Sequence, residues 1–410
     1  MGWQIKSLGE TCTLATGGTP SRAKPEYFEN GTIKWLVSGD IHQKEIYNCN
    51  GKISELGLQN SNARYLPENS VMIALNGQGK TRGSVSLLRT KATCNQSLVS
   101  ICPNNTSELI PEFLYVNLHG RYEEIRKMTG DDGNDRRGLN MPLIRSIKIP
   151  LPPIPEQQRI VAILDQAFAD IEKARANAEQ NLKNARELFD SYLQQVFSQR
   201  GEGWVEETLG QATGGVYTGP FGSLLHKSDY IENGIPLVNP AHITKTGILA
   251  DKNKSVSLGV LERLSNYVMR EGDIVIGRRG EMGRCALVTK KEDGFLCGTG
   301  SFFIKSSSRC HGEYLVRFLR SASCKAQLEA IAGGAVMPNL SNKDLSSFAL
   351  YLPSYERQKE LATEIALVAK RTRNLEDVYE AKISSLDELK KSLLQKAFSG
   401  ELTESKGIAA

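Results

Sequence analysis

Two short Gly-rich segments carry side chains suited to contact with nucleic acid. The first segment contains Asn76, Gln78, Lys80 and Arg82, and the second contains Arg278, Arg279 and Arg284. Cationic groups bind phosphate, Gln pairs with the edge of adenine, and Arg pairs with that of guanine. Glycine also lets the backbone approach a phosphate closely. We therefore predict that both segments contact DNA, with Gln78 suited to adenine and Arg279 to guanine. The alternative is a pair of β-turns with solvated charges.

A second set of basic and amide side chains lies shortly before the first proline-rich stretch, and the second half of the chain has such side chains at the matching place. The first half has Arg136, Arg137 and Asn140, and the second half has Asn339 and Lys343 at the matching place. We predict that these residues also contact DNA. The alternative for Asn140 and Asn339 is that each caps a turn or a helix, since an Asn side chain accepts hydrogen bonds from backbone N–H groups.

Signatures of catalysis are incomplete in this sequence. Asn239-Pro240-Ala241-His242 lacks the second proline and the aromatic residue of the adenine methyltransferase tetrad, Asn/Asp/Ser-Pro-Pro-aromatic. Gly79-Lys80-Thr81 resembles the end of a P-loop, but the motif needs glycine where Ala74 stands. The histidines show no paired metal spacing, and the cysteines form no Cys-x-x-Cys. We expect neither catalytic residues nor a metal site in the chain.

Composition indicates an ordinary globular protein. The 51 Lys and Arg residues outnumber the 46 Asp and Glu residues slightly, which gives a net charge of +5. That charge permits nucleic-acid binding without requiring it. No run approaches the roughly 18 apolar residues of a membrane span, and the first residues lack an apolar signal core. We expect a cytoplasmic protein with no membrane partner.

The chain is an internal repeat. Trp3-Gln-Ile-Lys-Ser-Leu-Gly-Glu is echoed 201 positions later by Trp204-Val-Glu-Glu-Thr-Leu-Gly-Gln. Each copy starts with Gly- and Asn-punctuated β-branched runs such as Ile33 to Val37 and Val71 to Leu75, which predict short strands. A helix is predicted from Glu112 to Met128. Duplication predicts two similar sites related by approximate two-fold symmetry.

Each copy ends in a predicted long helix. Four prolines between Ile149 and Pro155 make a stiff stop, and a helix of about 40 residues follows. Its apolar seam alternates mostly by four and three, as a coiled coil requires. The seam residues are Ile160, Leu164, Ala167, Ile171, Ala174, Ala178, Leu182, Ala185, Leu188, Tyr192 and Val196, and each has a counterpart 201 positions later, from Leu361 to Ala397. We predict antiparallel pairing of the two helices; packing on another subunit is the alternative.

The doubled arrangement resembles type I restriction–modification specificity subunits. The likeness rests on Pro150 to Ile160, on its weaker copy from Tyr351, on Gly334 to Ser341, and on Leu394 to Thr403 at the second helix end. It covers the whole chain in the order domain, helix, domain, helix. The first copy departs from it at Gly133 to Asn140.

The resemblance implies an α+β fold with two strand-rich target-recognition domains. They are related by pseudo-two-fold symmetry and joined by two long helices in an antiparallel coiled coil. The expected divisions are residues 1–153 and 201–354 for the recognition domains, and residues 154–200 and 355–404 for the helical spacers. Double-stranded DNA with a bipartite, asymmetric sequence is the implied target.

The implied partners are two methyltransferase (M) subunits and restriction (R) subunits. No cofactor is expected in this chain, while S-adenosylmethionine, ATP and magnesium are expected on the partners. Two other functions compete with this interpretation. A self-sufficient adenine methyltransferase would need the missing tetrad, and a coiled-coil scaffold would bind no DNA.

If the paired helices act as a ruler, lengthening both should change the spacer between the two half-sites and leave the half-sites unchanged. The physical reason is that helix length would set the half-site separation, as dimer geometry does in other DNA-binding proteins. The check is to map the methylated motif of the lengthened variant; an unchanged spacer would refute the ruler.

Overall fold

The chain, described by a computed structural model over residues 3–77, 79–129, 138–332 and 339–403, divides into two compact units. The first unit comprises Met1–Asn177 and Lys382–Ala410, and the second comprises Ala178–Ala381. Each unit therefore combines one globular domain with a part of each long helix. The first long helix runs Ile154–Ser198 and the second Tyr355–Ser399, close to the bounds that the proline stop and the apolar seam predict.

Short strands build the first domain, as the Gly and Asn punctuation predicts. A largely antiparallel sheet has the order Cys12–Thr16, Leu98–Pro103, Val71–Ala74, Val85–Leu88, Glu45–Ile46, with the last pair parallel. A smaller sheet joins Lys52–Ile53, Ile33–Leu36 and Thr93–Cys94. Finally, Gln4–Ser7 pairs with Lys148–Leu151, so the start of the domain is tied to its end.

Short helices complete the first domain: Leu8–Thr11, Glu55–Gln59, Pro111–Gly120, Tyr122–Lys127 and Met141–Ser146, with 3-10 turns at Pro25–Tyr27 and Ser38–His42. The single helix predicted from Glu112 to Met128 is two helices, because the backbone leaves helical geometry at Arg121. At the break, a Cβ on Gly120 would lie 2.8 Å from the Leu394 side chain. Glycine there lets the second long helix approach.

The second domain repeats this plan. One antiparallel sheet has the order Val216–Thr218, Ser301–Ile304, Ile274–Gly277, Cys285–Leu287, and another has the order Tyr230–Ile231, Ser255–Val256, Ile235–Val238, Leu296–Cys297, with its last pair parallel. Two-stranded pairs join Ile243–Thr244 to Gly247–Ile248 and Val205–Thr208 to Ala349–Leu352. The last pair matches, 201 positions on, the pair that closes the first domain.

Helices of the second domain also match those of the first. They are Leu209–Ala212, Leu258–Arg263, Gly312–Arg320, Ala322–Ile331 and Asn342–Ser346, with 3-10 turns at Gly222–Leu224, Lys227–Asp229, Pro240–His242 and Ser265–Tyr267. A break at Ser321 again separates two helices, here with the Ser321 side chain capping the second one. The repeat therefore extends to the interruption that sequence periodicity did not predict.

The long helices pair antiparallel within each unit, which confirms the predicted coiled coil. In the first unit, Arg175 bonds Asp387, whereas Leu164 lies in one core cluster with Leu394 and Ala397. Residue numbers in the second helix rise as those of their contacts in the first helix fall, so the two helices run in opposite directions. In the second unit, Arg186 lies 3.2 Å from Glu376 and 3.1 Å from Glu380, while Leu193, Val196, Leu361 and Ile365 share a core cluster.

The predicted seam is wrong at three leucines. Leu188, Leu375 and Leu389 are exposed by 69%, 45% and 46%. In the first helix Phe189 is partly buried in place of Leu188. Because a straight helix has 3.6 rather than 3.5 residues per turn, a strict seven-residue pattern drifts off the buried stripe. Leu188 and Leu389 are 201 positions apart, so the drift occurs at the same point in both copies.

One buried glutamine fastens each long helix to its domain. The Gln157 side chain donates to the carbonyls of Glu108 (2.6 Å) and Pro152 (2.8 Å) and accepts from the Ile110 N–H (3.0 Å). Both this glutamine and Gln358, 201 positions later, are 0% exposed. Gln358 makes the corresponding bonds to Arg309 (3.1 Å), Pro353 (3.0 Å) and His311 (2.8 Å).

We predict that Gln157→Leu lowers the free energy of unfolding by about 1–3 kcal/mol, because it leaves a buried N–H and two carbonyls without partners. Gln158→Leu is the matched control: its side chain is exposed, and we expect a change within about 0.5 kcal/mol. Urea unfolding of the two variants measures the difference. Equal effects would show that the buried amide does not anchor the helix.

Candidate nucleic-acid interface

In the second domain, three loops leave the sheet at one edge. Thr218 and Ile276 both lie opposite Phe302, and Gly277 lies opposite Ser301. The loops that follow Thr218 and Gly277 and the loop that precedes Ser301 therefore emerge side by side. The Gly-rich segment from Arg278 to Arg284 is the middle one. A rigid sheet edge thus positions the segment that the sequence singles out.

The two predicted clusters of the second domain come together at this edge. The Leu340 N–H donates to the Arg278 carbonyl (3.1 Å), and Arg278 Nε donates back to the Leu340 carbonyl (3.2 Å). Next to them, Arg279 Nε donates to Asn339 Oδ1 at 3.3 Å. The capping alternative fails for Asn339, because Ser341 caps the helix that follows. Segments some sixty residues apart in sequence thus share one site.

The three arginines of the segment have different surroundings. Arg278 is half-buried with its guanidinium 5.8 Å from the centre of the Phe302 ring, so it supports the turn. Arg279 is exposed. Arg284 bonds Glu281 at 2.8 Å, and Lys325 bonds the same carboxylate at 3.0 Å. Hydrogen bonds from Arg284 first, and then from Lys325, lower the pKa of Glu281 to about 2. Glu281 therefore offsets cationic charge within the segment.

The first domain has the same arrangement of strand ends and loops. Thr16 and Ile73 both lie opposite Val99, and Ala74 lies opposite Leu98. The Leu139 N–H donates to the Leu75 carbonyl at 2.9 Å, as Leu340 does to Arg278 in the other copy. The chain next to Asn76 and the chain next to Asn140 therefore meet in this domain as well.

Neighbouring side chains hold the Gly-rich segment of the first domain. Arg126 donates to the Gly79 carbonyl and, at 2.7 Å, to the Tyr122 hydroxyl. His42 Nε2 lies 3.2 Å from Thr81 Oγ1. The turn is thus braced from the helix Tyr122–Lys127 and from the 3-10 turn Ser38–His42. Only the folding of the domain brings these distant residues to one loop.

The remaining predicted contacts of the first domain fall into separate groups. Asn76 and Lys80 are exposed at the edge, whereas Arg82 is buried, with 6% of its surface exposed. Asn140 accepts from the Leu143 N–H at 3.0 Å and caps the helix Met141–Ser146, which is the alternative role foreseen for it. In the second domain, Lys343 is exposed on the helix Asn342–Ser346. Gln78, Arg136 and Arg137 lie outside the described residues.

The structure adds one loop in each domain that the sequence interpretation missed. In the first domain it follows Thr16, contains exposed Arg22 and Lys24, and is tied by Thr19 to Gln96. In the second it follows Thr218 and exposes Phe221 by 57%. A glycine directly after a short strand, Gly17 or Gly219, is the signal in the sequence. Its importance depends on which strands are neighbours, and that is not readable from local sequence.

Burial makes the two matched cysteines next to these edges unreactive. Burial raises the pKa of Cys94 to about 12 and also raises that of Cys297, its counterpart. Both thiols are therefore protonated and behave as small apolar groups. Within the described ranges, no group of three or more His, Cys, Asp or Glu side chains is placed to hold a metal ion. In the same ranges, no helix is both long and apolar enough to cross a membrane.

Known proteins share the sequence pattern and the fold. A family model described as the type I restriction modification DNA specificity domain matches residues 1–180 and 222–380. The type I restriction enzyme EcoR124I/EcoR124II specificity subunit of Escherichia coli is 27% identical over 194 residues, which is 47% of this chain and 48% of that relative. The chain thus matches about half the length of that relative.

A second relative and a solved structure match over nearly the whole length. The type I restriction enzyme MjaIX specificity subunit of Methanocaldococcus jannaschii is 23% identical over 98% of this chain and 93% of its own. A solved structure described as the structural basis of complex assembly and conformational transition of the type I R-M system has a TM-score of 0.77 at 18% identity, over 98% of both chains. At that identity, the structural match establishes the fold.

Proposed function

Because the chain belongs to the type I restriction modification DNA specificity domain family, we propose that it is the sequence-specificity subunit of a type I restriction–modification complex. It selects a bipartite, asymmetric DNA sequence, one half-site for each domain. The observation that carries the proposal is the doubled sheet edge, where loops with different side chains leave matched strands. Two domains with the same strand arrangement but different loop side chains suit a DNA target whose two halves differ in sequence.

The side chains that we propose to read bases differ in chemistry between the two domains. In the first domain, exposed Asn76 and Lys80 occupy the edge, and Gln78 is the proposed partner of adenine. In the second domain, Arg279 is the proposed partner of guanine. Its Nε is engaged by Asn339, and among the described residues no side chain bonds its two Nη nitrogens. An Arg held in this way presents two donors to the O6 and N7 of guanine.

The remaining predicted cations have supporting roles in this proposal. Lys343, Arg136 and Arg137 contact phosphates, which fix the register of the protein without reading sequence. Arg278 and Arg284 shape the turn that carries Arg279, Arg82 supports the Gly-rich segment of the first domain, and Asn140 caps the helix Met141–Ser146. Glu281 keeps the turn from binding any DNA indiscriminately, because it offsets charge beside the reader.

In the proposed assembly, catalysis belongs to partner subunits. Two methyltransferase (M) subunits bind S-adenosylmethionine and modify adenine, and restriction (R) subunits use ATP and magnesium. The specificity subunit itself supplies no catalytic group, and the complex acts in the cytoplasm. The incomplete methyltransferase tetrad at Asn239 to His242, which lacks the second proline and the aromatic residue, supports this division.

Matched apolar residues on the long helices support the docking of two M subunits. Leu188 in the second unit and Leu389 in the first are both exposed, and they are equivalent in the repeat. Large exposed apolar side chains at equivalent places suit two copies of one partner, since the same partner surface meets the same residue type twice. We propose that each leucine lies at the centre of one M-subunit contact.

The function is tested by mapping N6-methyladenine in DNA from a host that expresses this chain with its M subunit. We expect a split, asymmetric motif. Arg279→Ala should relax one base of one half-site by roughly 10- to 100-fold, because a bidentate Arg–guanine pair contributes about 1–3 kcal/mol of discrimination. Arg279→Lys keeps the charge and should relax the same base. A palindromic motif, or none, would refute the proposal.

Arg270→Ala is the matched control for this experiment. Arg270 lies just before the strand Ile274–Gly277, at the end opposite Arg279, and its side chain is 65% exposed. It carries the same charge next to the same strand, at the end away from the loops. We expect it to leave the motif unchanged. Equal relaxation by both variants would point to lost net charge rather than to a lost base contact.

Docking of M subunits is tested with Leu188→Ser and Leu389→Ser. Each single variant should bind one M subunit instead of two, and the double variant should bind none, because each change places a hydroxyl in an apolar contact. Native mass spectrometry gives the stoichiometry. Ile5→Ser, at a 65% exposed position on the strand Gln4–Ser7, is the control. A double variant that still binds two M subunits would refute this docking site.

A further inference from the structure

An aromatic side chain stands exposed in the loop that follows Thr218. Gly219 and Pro220 are buried, whereas the next residue, Phe221, is 57% exposed. Exposing a large apolar ring next to two buried residues has a free-energy cost in water. Leu224 of the same loop is 37% exposed as well, and exposed apolar side chains grouped in one loop suit an apolar partner.

The backbone on both sides of Phe221 is fixed. The Gly219 N–H donates to the Ser301 carbonyl at 3.0 Å, and a Cβ on Gly219 would lie 2.0 Å from the Gly298 carbonyl oxygen, so only glycine fits. On the other side, Gly222 has a φ of +62°, which glycine adopts without strain. The ring is thus presented by a defined turn.

This turn leaves the same sheet edge as the arginine reader. Thr218 and Ile276 are both paired with Phe302, so the loops after these two strands start side by side. In addition, the Arg278 N–H donates to the Gly300 carbonyl at 2.9 Å, next to the Ser301 carbonyl that holds Gly219. Phe221 and Arg279 therefore belong to one loop cluster.

The first domain places a polar group at the corresponding point. Thr16 is paired with Val99 as Thr218 is with Phe302, and a Cβ on Gly17 would lie 1.8 Å from the Cys94 carbonyl oxygen. Two residues beyond that glycine stands Thr19, whose hydroxyl donates to Gln96 Oε1 at 2.5 Å. The same frame thus carries an apolar ring in one domain and a hydrogen-bonded hydroxyl in the other.

We propose that Phe221 inserts into the base stack of the half-site that the second domain reads. This inference rests on the proposed function and assigns a second specificity element to the same loop cluster. An inserted apolar side chain partly unstacks a base step, and the cost depends on the sequence of that step. The second domain therefore selects its half-site by the ease of unstacking as well as by base edges, and the first domain, with Thr19, does not use this means.

The test uses the complex of this chain with its M subunits and a duplex that carries the motif mapped for the wild type. 2-Aminopurine replaces one base at a time in each half-site, outside the methylated adenine, and its fluorescence rises when it is unstacked. With the wild-type complex, we expect a rise at one step of a single half-site. Phe221→Ala and Phe221→Thr, which copies the first domain, should abolish that rise and weaken binding by about 5- to 150-fold.

Matched variants separate insertion from other effects. Phe221→Leu keeps an apolar wedge and should retain much of the rise. Arg279→Ala should weaken binding but keep the rise at its step. Val205→Ala removes an apolar side chain that is 44% exposed on the strand Val205–Thr208. It should change neither the fluorescence rise nor the affinity for DNA.

The outcomes distinguish the inference from the function on which it rests. If the wild-type complex binds its motif without any fluorescence rise, and Phe221→Ala binds equally well, insertion is wrong and the specificity function stands. If the wild-type complex binds the motif no better than unrelated DNA, the proposed function itself is wrong. Circular dichroism of Phe221→Ala in the free chain shows whether a loss of binding reflects unfolding.

Discussion

A single buried amide side chain in each copy connects the recognition domain to the long helix. Gln157 joins three backbone groups that no regular element satisfies, and Gln358 repeats the arrangement. An amide is suited to this place, because it donates twice and accepts without carrying a charge into the interior. Proline supplies no N–H of its own, so the four prolines at the start of the first helix, and Pro353 before the second, reduce the donors available to these carbonyls. This contact attaches the start of the helix to its own domain.

The second constraint is the pairing of each domain's first strand with its last. Gln4–Ser7 lies against Lys148–Leu151, and Val205–Thr208 lies against Ala349–Leu352. The two ends of each domain are therefore paired just before its long helix begins. The loops between these two strands can vary in sequence without disrupting that pairing. Thr19 and Phe221 illustrate such variation on equivalent strands. Stability and specificity thus reside in different parts of the same domain, which allows the two readers to diverge independently.

Charge at the proposed interface is moderated rather than maximised. Glu281 lies between Arg284 and Lys325, and these bonds keep its pKa low, so it remains anionic at neutral pH. A reader that relied on cations alone would bind phosphate everywhere along a duplex. With part of the charge offset, the proposed discrimination depends more on Arg279, on its hydrogen bond to Asn339 and on the shape of the turn. The modest net charge of the whole chain is consistent with this balance.

The sequence by itself determined the duplication, the short-strand character of the domains, and the two long helices with their antiparallel pairing. It could do so because apolar periodicity and proline stops act locally, and because two matched seams satisfy each other. The same reasoning found the Gly-rich segments and the Asn339 region, since their residue types are informative without contacts. It missed the breaks at Arg121 and Ser321, and it misplaced Leu188, because a regular pattern does not register the slow drift of a real helix.

Only the tertiary structure decided which of the candidate side chains share a site. Strand order brought Arg278 and Leu340 together, buried Arg82, and placed the loop of Phe221 beside the loop of Arg279. None of these outcomes follows from local sequence, because hydrogen bonding between distant strands fixes which loops emerge at a common edge. The residue types determine which contacts are chemically possible, and the register of the sheet determines which of these residues lie together.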